Sequence, residues 1–270
     1  MEARNKIIAS VGILTLNSEA TLERALESVK DFDQIIVCDG NSTDRTIEIA
    51  RRYGATIIKQ HNGDEPNQSL KDFAAARNKC LDIARNDWFL YVDSDEAISL
   101  KLRQEIGDIV SRAYNQELVY RIPNLIIYKD KEILHSTSYP GYQTRFFNKK
   151  SGARFVRPVH ERIEFNPAIL VGTLKGPWHV YISDEDYRES WRDIRNYAAI
   201  EVKASKQQTL GQFLYWSVAQ KLFRLVKLVL RAGFMYLRFG FRDSLPPKFE
   251  LQRLSYTAYL LYSLVKSRIT

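Results

Sequence analysis

Residues that build disulfide frameworks and metal clusters are scarce in this sequence, which has two cysteines and four histidines among 270 residues. Cys38 and Cys80 each lie in an apolar segment, so we predict buried free thiols in a reducing compartment. Cysteine and histidine do not recur at the spacing of a zinc site, so a zinc site is not expected.

Long apolar runs are also missing, because no window of about 18 residues lacks a charged side chain. An ordinary transmembrane helix is therefore not predicted. Residues 1–6 are charged and lead straight into a short apolar run, so a signal peptide is not expected either.

Two glycine-rich nucleotide-binding loops are absent. No GxGxxG motif follows the first predicted strand, which weighs against a dinucleotide-dependent dehydrogenase. No GxxxxGK motif followed by Ser or Thr occurs, which weighs against a P-loop NTPase.

The composition is apolar enough for a sizeable core and is basic overall. Apolar residues make up 45% of the chain, which suffices for one core or for a domain with an appendage. The formal net charge is +8, and the excess is strongest in the last third. This balance indicates a polyanionic partner: nucleic acid, an anionic membrane surface or a phosphorylated substrate.

The first part of the chain alternates apolar runs with segments of helical periodicity. We predict strands at residues 7–14, 34–38, 55–59 and 88–92, and helices at residues 22–29, 47–53, 70–84 and 99–112. This alternation predicts an α/β fold with a doubly wound sheet. Short β-like pieces at 118–122, 125–128, 145–148 and 162–165 predict a mixed β region that completes the sheet. We therefore predict a first domain at residues 1–182 and a helical, basic region at residues 183–270.

Three polar clusters follow predicted strands. They are Thr15 with Asn17, Asp39 with Asn41, and Asp93 with Asp95. Ligands of doubly wound sheets bind beyond the carboxyl ends of the strands, so we expect a site where these clusters meet. Asp93 and Asp95 are two residues apart and point the same way if the chain stays extended, so together they can hold Mg²⁺ or Mn²⁺ against substrate phosphates. The alternative is that both are loop residues that cap the next helix.

Short motifs in serial order resemble those of family 2 glycosyltransferases with the GT-A fold, a Rossmann-like, doubly wound mixed sheet, here with a C-terminal helical extension. They occupy residues 13–17, 36–46, 76–78 and 93–96. Residues 145–147, 159–161 and 178–179 resemble the lipopolysaccharide-core β-glucosyltransferase branch. The resemblance covers residues 7–181.

The resemblance implies roles for donor-side residues. Thr15 and Asn17 fall where the family contacts the nucleotide, and Asp39 falls where it bonds the base or ribose. Asp93 and Asp95 match the DXD motif, whose carboxylates hold the metal against the donor diphosphate. We add Asn41, from the polar cluster with Asp39, and Arg77 as donor contacts. For Arg77 the alternatives are a pair with a site carboxylate or a solvated helix face.

On the acceptor side, Glu161 falls where related enzymes carry the general base, although the family more often has a Glu-Asp pair where this chain has His160-Glu161. Glu96 and Asp95 are alternative bases, and a surface carboxylate is the other interpretation of Glu161. His160 and His179 are candidate metal ligands or diphosphate contacts, or else structural histidines. Family 2 members mostly invert the anomeric configuration.

Residues 213–241 interleave basic and apolar side chains. The basic residues recur every three or four positions and form one predicted stripe: Lys221, Arg224, Lys227, Arg231 and Arg238. This pattern is typical of a helix that lies in the headgroup plane of an anionic bilayer. Nucleic-acid binding and a core-packed helix with a wet basic face are the alternatives. A last helix at residues 245–262 can pack on the first domain or on a second chain, which would make an oligomer.

These observations predict an inverting, metal-dependent hexosyltransferase that uses a nucleotide-diphosphate sugar, with a UDP-sugar favoured. Its acceptor would be a hydroxyl of a cell-surface glycan or a lipid-linked molecule. We expect it in the cytoplasm, peripheral on the inner face of the cell membrane, with no nucleic-acid partner. Two alternatives are a sugar-phosphate nucleotidyltransferase and a non-catalytic, membrane-associated scaffold that binds nucleotide-sugars.

Overall fold

A computed structural model describes residues 6–158 and 161–269, and the chain divides into two compact units. The first unit comprises Met1–Leu125 and Pro140–Tyr181, and the second comprises Ile126–Tyr139 and Ile182–Thr270. The first unit thus ends one residue before the predicted boundary. Residues 126–139, which lie inside the predicted first domain, group with the C-terminal helices.

Four parallel strands form one half of the sheet of the first unit. In spatial order they are β3 (Thr56–Lys59), β2 (Phe32–Asp39), β1 (Ile7–Thr15) and β4 (Trp88–Asp93). The apolar runs of β1, β2 and β4 are almost fully buried, as expected for parallel strands covered on both faces. All four predicted strands of this half are present.

The remaining strands of the first unit are mostly antiparallel. They are β5 (Glu96–Ile98), β6 (Val119–Tyr128), β8 (Tyr142–Asn148), β9 (Arg154–Val156), β10 (Arg162–Glu164), β11 (Val171–Thr173) and β12 (Trp178–Ile182). Strand β8 pairs with β4 and β6, β12 pairs with β5, and β10 pairs with β9. The two pieces predicted at 118–122 and 125–128 form one strand, β6. Pro123 does not interrupt it, because it lies opposite Tyr142 at the end of the β6–β8 ladder, where a missing N–H is tolerated.

Helices cover both faces of this sheet. They are α1 (Leu22–Val29), α2 (Thr46–Arg52), α3 (Phe73–Ile83) and α4 (Leu100–Ser111). Helices α1, α2 and α4 contribute to one hydrophobic cluster, and α3 contributes to a second, which also contains Cys38 and Cys80. Both cysteines are buried and free, as predicted. The mixed, doubly wound α/β architecture expected of a GT-A fold is therefore present.

Helix α3 differs from its prediction in its start and in its buried face. It begins at Phe73 because Asp72 caps it, the Asp72 side chain accepting a hydrogen bond of 2.8 Å from the Ala75 N–H. Phe73 and Ile83, which share one side of the helix with Ala76 and Cys80 in the sequence pattern, are 37% and 41% exposed, whereas Arg77 is 95% buried. The buried face of α3 thus includes the charged residue Arg77. Hydrophobic periodicity cannot predict this, because it counts only apolar residues as buried.

The second unit is mainly helical. Its elements are β7 (Lys131–Ile133), which pairs with the end of β6, α5 (Asp184–Ser205), α6 (Leu210–Gln212), a π-helical segment (Phe213–Ala219), α7 (Gln220–Phe239) and α8 (Pro247–Ile269). The predicted helix at 213–241 therefore changes pitch after Ala219 and ends at Phe239. Helix α8 begins at Pro247, a position where proline is tolerated because the first turn needs no N–H donor. It extends beyond residue 262, the end of the predicted helix. Across the described residues, no helix combines the length and apolarity needed to cross a membrane.

Candidate active site

The carboxyl ends of β1, β2 and β4 bring the three predicted polar clusters to one edge of the sheet. Thr15 at the end of β1 lies opposite Asp39 at the end of β2. On the other side of β1, Leu14 lies opposite Asp93 at the end of β4. The register of three neighbouring strands therefore places Thr15, Asp39 and Asp93 in adjacent rows.

The Asp39 carboxylate is buried and accepts three hydrogen bonds. The Thr15 hydroxyl donates to Oδ1 at 2.8 Å, the Ser42 hydroxyl donates to Oδ1 at 2.6 Å, and the Ser42 N–H donates to Oδ2 at 2.8 Å. These bonds fix the turn after β2 against the end of β1. Asp39 therefore shapes the rim of the site, whatever it contacts in a ligand.

Asn17 and Asn41 both adopt left-handed backbone conformations, with φ of 48° and 59°, which asparagine tolerates better than most residues. The Asn17 side chain accepts from the Thr43 N–H at 2.9 Å and donates to Asn67 Oδ1 at 2.8 Å. The Asn41 amide donates to the carbonyls of Gly63 and Glu65, at 2.9 and 2.8 Å. Both side chains thus hold the loop of residues 61–69 over the edge of the sheet.

Asp44, which follows the turn after β2, accepts hydrogen bonds from backbone N–H groups. Its carboxylate accepts from the Thr46 N–H at 2.9 Å and from the Glu19 N–H at 3.0 Å. The first bond satisfies a donor at the start of α2, and the second fixes the segment before α1. Burial alone would raise the pKa of Asp44, but its hydrogen bonds lower it.

Arg77 is the central cation of the site. It donates from Nη2 to Asp93 Oδ1 at 2.5 Å and from Nε to Glu161 Oε1 at 2.6 Å, and its guanidinium carbon lies 4.4 Å from the centre of the Tyr91 ring. Burial alone would lower the pKa of Arg77, but Asp93 and Glu161 raise it. Nη1 is buried and has no hydrogen-bond partner among the residues that the structure describes. The Nη1 donors are therefore unsatisfied within the described residues, which is unusual for a buried guanidinium.

Asp93 lies between two buried arginines. Besides Arg77, Arg145 approaches it, with Nη2 at 3.4 Å from Oδ2. Burial would raise the pKa of Asp93, but the two guanidinium groups lower it to about 2. The two arginines therefore favour the ionised form of Asp93 at neutral pH.

Glu96 binds the Arg145 guanidinium group through both of its carboxylate oxygens. Its carboxylate accepts from Arg145 Nη1 and from Arg145 Nη2, the latter at 3.0 Å. It also accepts from Trp178 Nε1 at 3.0 Å and from the Asp93 N–H at 3.2 Å. Burial raises the pKa of Glu96 to about 7, against the opposing effect of Arg145. Glu96 is not among the residues that line the cavity beside Asp93. Its contacts favour a supporting role over that of the alternative base.

A cavity of about 570 Å³ opens beside these ions. Its lining residues come from α3, β4, β8 and β10 or lie next to them: Arg77, Tyr91, Asp93, Tyr142, Gln143, Thr144, Arg145, Glu161, Arg162 and Ile163. This volume is in the range of sites for small organic ligands. Glu161, 18% exposed, is held by Arg77 through Oε1, while Oε2 makes no hydrogen bond with the described part of the chain.

The predicted metal ligands are brought together only in part. Asp95 is exposed, and its backbone carbonyl accepts from Arg24 Nη2 at 2.9 Å. His179 lies in β12, opposite Ala97 of β5, and His160 falls outside the described residues. Within the described ranges, no three histidine, cysteine or acidic side chains are grouped to hold a metal ion. A Mg²⁺ or Mn²⁺ ion bound through one or two carboxylates and mainly through substrate phosphates stays a prediction for Asp93 and Asp95, since both Asp93 oxygens already accept from guanidinium groups.

The site contains four residues that the sequence-based assignment did not include, and also Glu96, which it named only as an alternative base. Arg145, Glu96 and Trp178 form its buried support, and Ser42 and Asn67 hold its rim. The motif at residues 145–147 was the only signal for Arg145. Residues Arg145–Asn148 of β8 are buried in succession, so no alternation singles out the arginine as the residue that faces the site.

Comparison with known proteins places these residues in context. A family model described as glycosyl transferase family 2 matches residues 10–150, just over half of the chain. An uncharacterised glycosyltransferase of Rickettsia prowazekii is 34% identical over 165 residues, which cover 58% of this chain and 53% of that protein. The prophage-derived glycosyltransferase SunS of Bacillus subtilis is 31% identical over 105 residues, 36% of this chain and 22% of SunS.

The chain spans about half the length of the first of these relatives. Among solved structures, S. aureus TarS 1-349 in complex with UDP is 15% identical, covers 96% of this chain and 91% of its own, and superposes with a TM-score of 0.48. The family match includes Thr15, Asp39, Arg77, Asp93 and Asp95 and ends before Glu161 and the C-terminal helices.

Proposed function

The chain belongs to glycosyl transferase family 2, and on that basis we propose that it transfers a hexose, with inversion, from a nucleotide-diphosphate sugar to an acceptor hydroxyl. We favour a UDP-sugar as donor and a cell-surface glycan, such as a lipopolysaccharide core, or a lipid-linked molecule as acceptor. The observation that carries the proposal is Arg77, a buried cation that bonds both Asp93 and Glu161 at the wall of a cavity.

The donor diphosphate would bind where β1, β2 and β4 end. Asp93 and Asp95 would hold a divalent ion, which when bound neutralises the charge that develops on the leaving diphosphate. Arg77 Nη1, which has no partner within the described residues, is placed to donate to a phosphate oxygen. Arg145 and Glu96 would keep Asp93 in position, since Arg145 contacts the carboxylate oxygen that Arg77 leaves and Glu96 accepts from the Asp93 N–H.

The acceptor hydroxyl needs a base within hydrogen-bond reach. Glu161 fits this role because Arg77 fixes one of its carboxylate oxygens and leaves the other directed away from that bond. The oxygen without a partner in the described chain would take the hydroxyl proton as the hydroxyl oxygen bonds to the anomeric carbon and the bond from that carbon to the departing nucleotide diphosphate breaks. A single attack of this kind inverts the configuration at that carbon.

The direct test is to incubate the protein with Mn²⁺ and a panel of nucleotide-sugars and to measure nucleotide release. We expect release from one donor, most readily a UDP-sugar, and near-complete loss in Asp95→Asn with the fold intact by circular dichroism. Unchanged turnover in this variant would falsify the metal assignment. Pyrophosphate release from a nucleoside triphosphate and a sugar phosphate would instead indicate the nucleotidyltransferase, and donor binding without turnover would indicate the scaffold.

We further propose that the second unit lies on an anionic membrane surface through α7. Seven apolar side chains of this helix are 48–91% exposed and share one side, which we name the outer apolar face: Leu222, Phe223, Val226, Val229, Leu230, Phe234 and Leu237. The opposite side of the helix is buried and includes Ala232 and Met235. Exposed apolar surface of this extent is typical of an interaction site.

A row of cations borders the outer apolar face along α7. We name this row the basic edge: Arg224, Lys227, Arg231 and Arg238. Lys221, predicted to belong to it, lies elsewhere on the helix and forms an ion pair of 3.0 Å with Glu201. Because α7 contains no acidic residue, two copies of this face would repel each other, whereas anionic lipid headgroups would complement it.

A further inference from the structure

The second unit contains a small cleft between α7, α8 and the segment that follows β7. Its volume is about 280 Å³, and its polar lining consists of Thr137, Ser138, Arg224, Arg253, Tyr256 and Thr257. This volume is too small for a nucleotide-sugar but suits a compact polar group. The cleft belongs entirely to the second unit and has no role in the transfer chemistry described above.

Two arginines give the cleft its charge. Arg224 forms no hydrogen bond or ion pair with the part of the chain that the structure describes. With the residues that the structure describes, the Arg253 side chain makes only long contacts, with Nη1 at 3.6 Å from Glu250 Oε1 and 3.5 Å from the Thr137 hydroxyl. Both guanidinium groups therefore keep N–H donors for a ligand, and arginine forks match phosphate oxygens well.

Glu250 is a buried carboxylate that binds Thr137, one of the cleft residues. Glu250 is 3% exposed and accepts from the Thr137 N–H at 2.8 Å and from the Thr137 hydroxyl. Nearby, Arg231 of the basic edge donates to the Tyr139 carbonyl at 3.2 Å. The segment of residues 137–139 is thus held in place from two helices, and the charge of Glu250 balances only one of the two cleft arginines.

We propose that this cleft binds the phosphate group of an anionic membrane lipid. Arg224 belongs to the basic edge, which borders the outer apolar face, so a lipid whose chains contact that face has its phosphate at the level of the cleft. The Thr257 hydroxyl donates to the Arg253 carbonyl at 3.0 Å, so the further donor to a phosphate oxygen is the Ser138 hydroxyl, whose contact with Ser136 allows either oxygen to donate. The inference rests on the membrane association proposed above and adds a defined site to it.

The test compares binding to two kinds of phosphatidylcholine vesicle that have equal surface potential. One kind contains phosphatidic acid, which presents a phosphate monoester, and the other contains oleate, which presents a carboxylate. The variants are Arg224→Gln, which changes the cleft, and Lys227→Gln, which removes the same charge from the basic edge outside the cleft. Wild-type protein should bind phosphatidic-acid vesicles about tenfold more tightly than oleate vesicles, as expected for a charge-assisted hydrogen bond.

Arg224→Gln should remove this preference, and Lys227→Gln should weaken binding to both vesicles equally and keep it. Equal effects of the two variants, or equal binding of the wild type to both vesicles, would overturn the phosphate site alone. A wild type that binds neither vesicle overturns the membrane association as well. Displacement from phosphatidic-acid vesicles by glycerol phosphate, at a concentration equal to that of the lipid, would identify a free phosphate ester and overturn the lipid as the source.

Discussion

Glu161 has one carboxylate oxygen bound to Arg77 and a second that no described residue contacts. We expect Glu161→Gln to lower kcat for transfer by about 100-fold or more, because the amide keeps an acceptor for Arg77 but cannot take a proton. The measurement is steady-state transfer with the donor found in the nucleotide panel.

The matched control for this change is Glu164→Gln, an exposed residue of β10 that does not line the cavity. It should leave kcat unaltered. If both variants retain full turnover, another group is the base and Glu161 only balances the charge of Arg77.

Gly40 follows Asp39 at the rim of the site and has no room for a side chain. A Cβ there would lie 2.7 Å from the Gln68 carbonyl oxygen and 2.8 Å from Gln60 Oε1. Gly40→Ala should therefore shift the loop of residues 61–69, lower the free energy of unfolding by about 1–3 kcal/mol and raise the KM for the donor. Denaturant unfolding and donor kinetics measure the two effects.

Gly63 provides the control within the same loop, because a Cβ at this position meets no atom within 4 Å. Gly63→Ala adds the same methyl group and should change neither quantity. Equal effects of the two alanines would mean that the loop tolerates displacement and does not shape the donor site.

For single residues, the sequence predicts membership of the site better for those that end a strand than for those within a strand. Thr15, Asp39 and Asp93 could be placed because the carboxyl ends of parallel strands share an edge. The role of Arg145 could not be derived in this way, because its partners Glu96 and Trp178 lie on two other strands and become neighbours only through the sheet. Long-range pairing of this kind leaves no local periodicity.

At the scale of elements, the distinctive feature is a helix with two apolar sides. Leu230, 67% exposed on the outer apolar face of α7, is expected to enter the headgroup region of a bilayer. Replacing it with Ser should weaken binding to anionic vesicles by about tenfold, since burying a leucine contributes about 1.5–3 kcal/mol. Co-sedimentation of the protein with vesicles gives the affinity.

Leu251 is the comparison for this change, because it is 59% exposed on α8 and lies outside the outer apolar face. Leu251→Ser should bind vesicles as the wild type does. If Leu230→Ser also binds like the wild type, the outer apolar face is not the surface that meets the membrane.

The order and type of the main elements followed from their periodicity, whereas their finer geometry did not. The repeat of apolar residues in 213–241 predicts a helix but cannot distinguish the π-helical segment Phe213–Ala219 from the α-helix that follows. In α3, the burial of Arg77 depends on carboxylates that lie far away in sequence. Both departures come from tertiary contacts that override local pattern.

For the whole molecule, the net charge of +8 makes salt a selective probe of the two proposed activities. The Debye length falls from about 10 Å at 0.1 M to about 3 Å at 1 M ionic strength, which screens exposed charges such as the basic edge. Vesicle binding should fall at least about tenfold over this range. Nucleotide release without vesicles should change by no more than about twofold, because Arg77, Arg145 and Glu96 are buried.

Parallel titrations of vesicle binding and nucleotide release with NaCl give both numbers from one preparation. A parallel decline of the two activities would contradict the assignment of membrane contact to exposed charges and of catalysis to buried ones. Vesicle binding that resists salt would instead assign the contact to apolar side chains alone.

The bond of Arg77 to two carboxylates would tie the donor side of the site to its acceptor side. Asp93 and Glu161 share one guanidinium group, so a movement of Arg77 toward a bound diphosphate would be transmitted to both carboxylates. The distance between the leaving group and the proposed base would then depend on the placement of a single side chain.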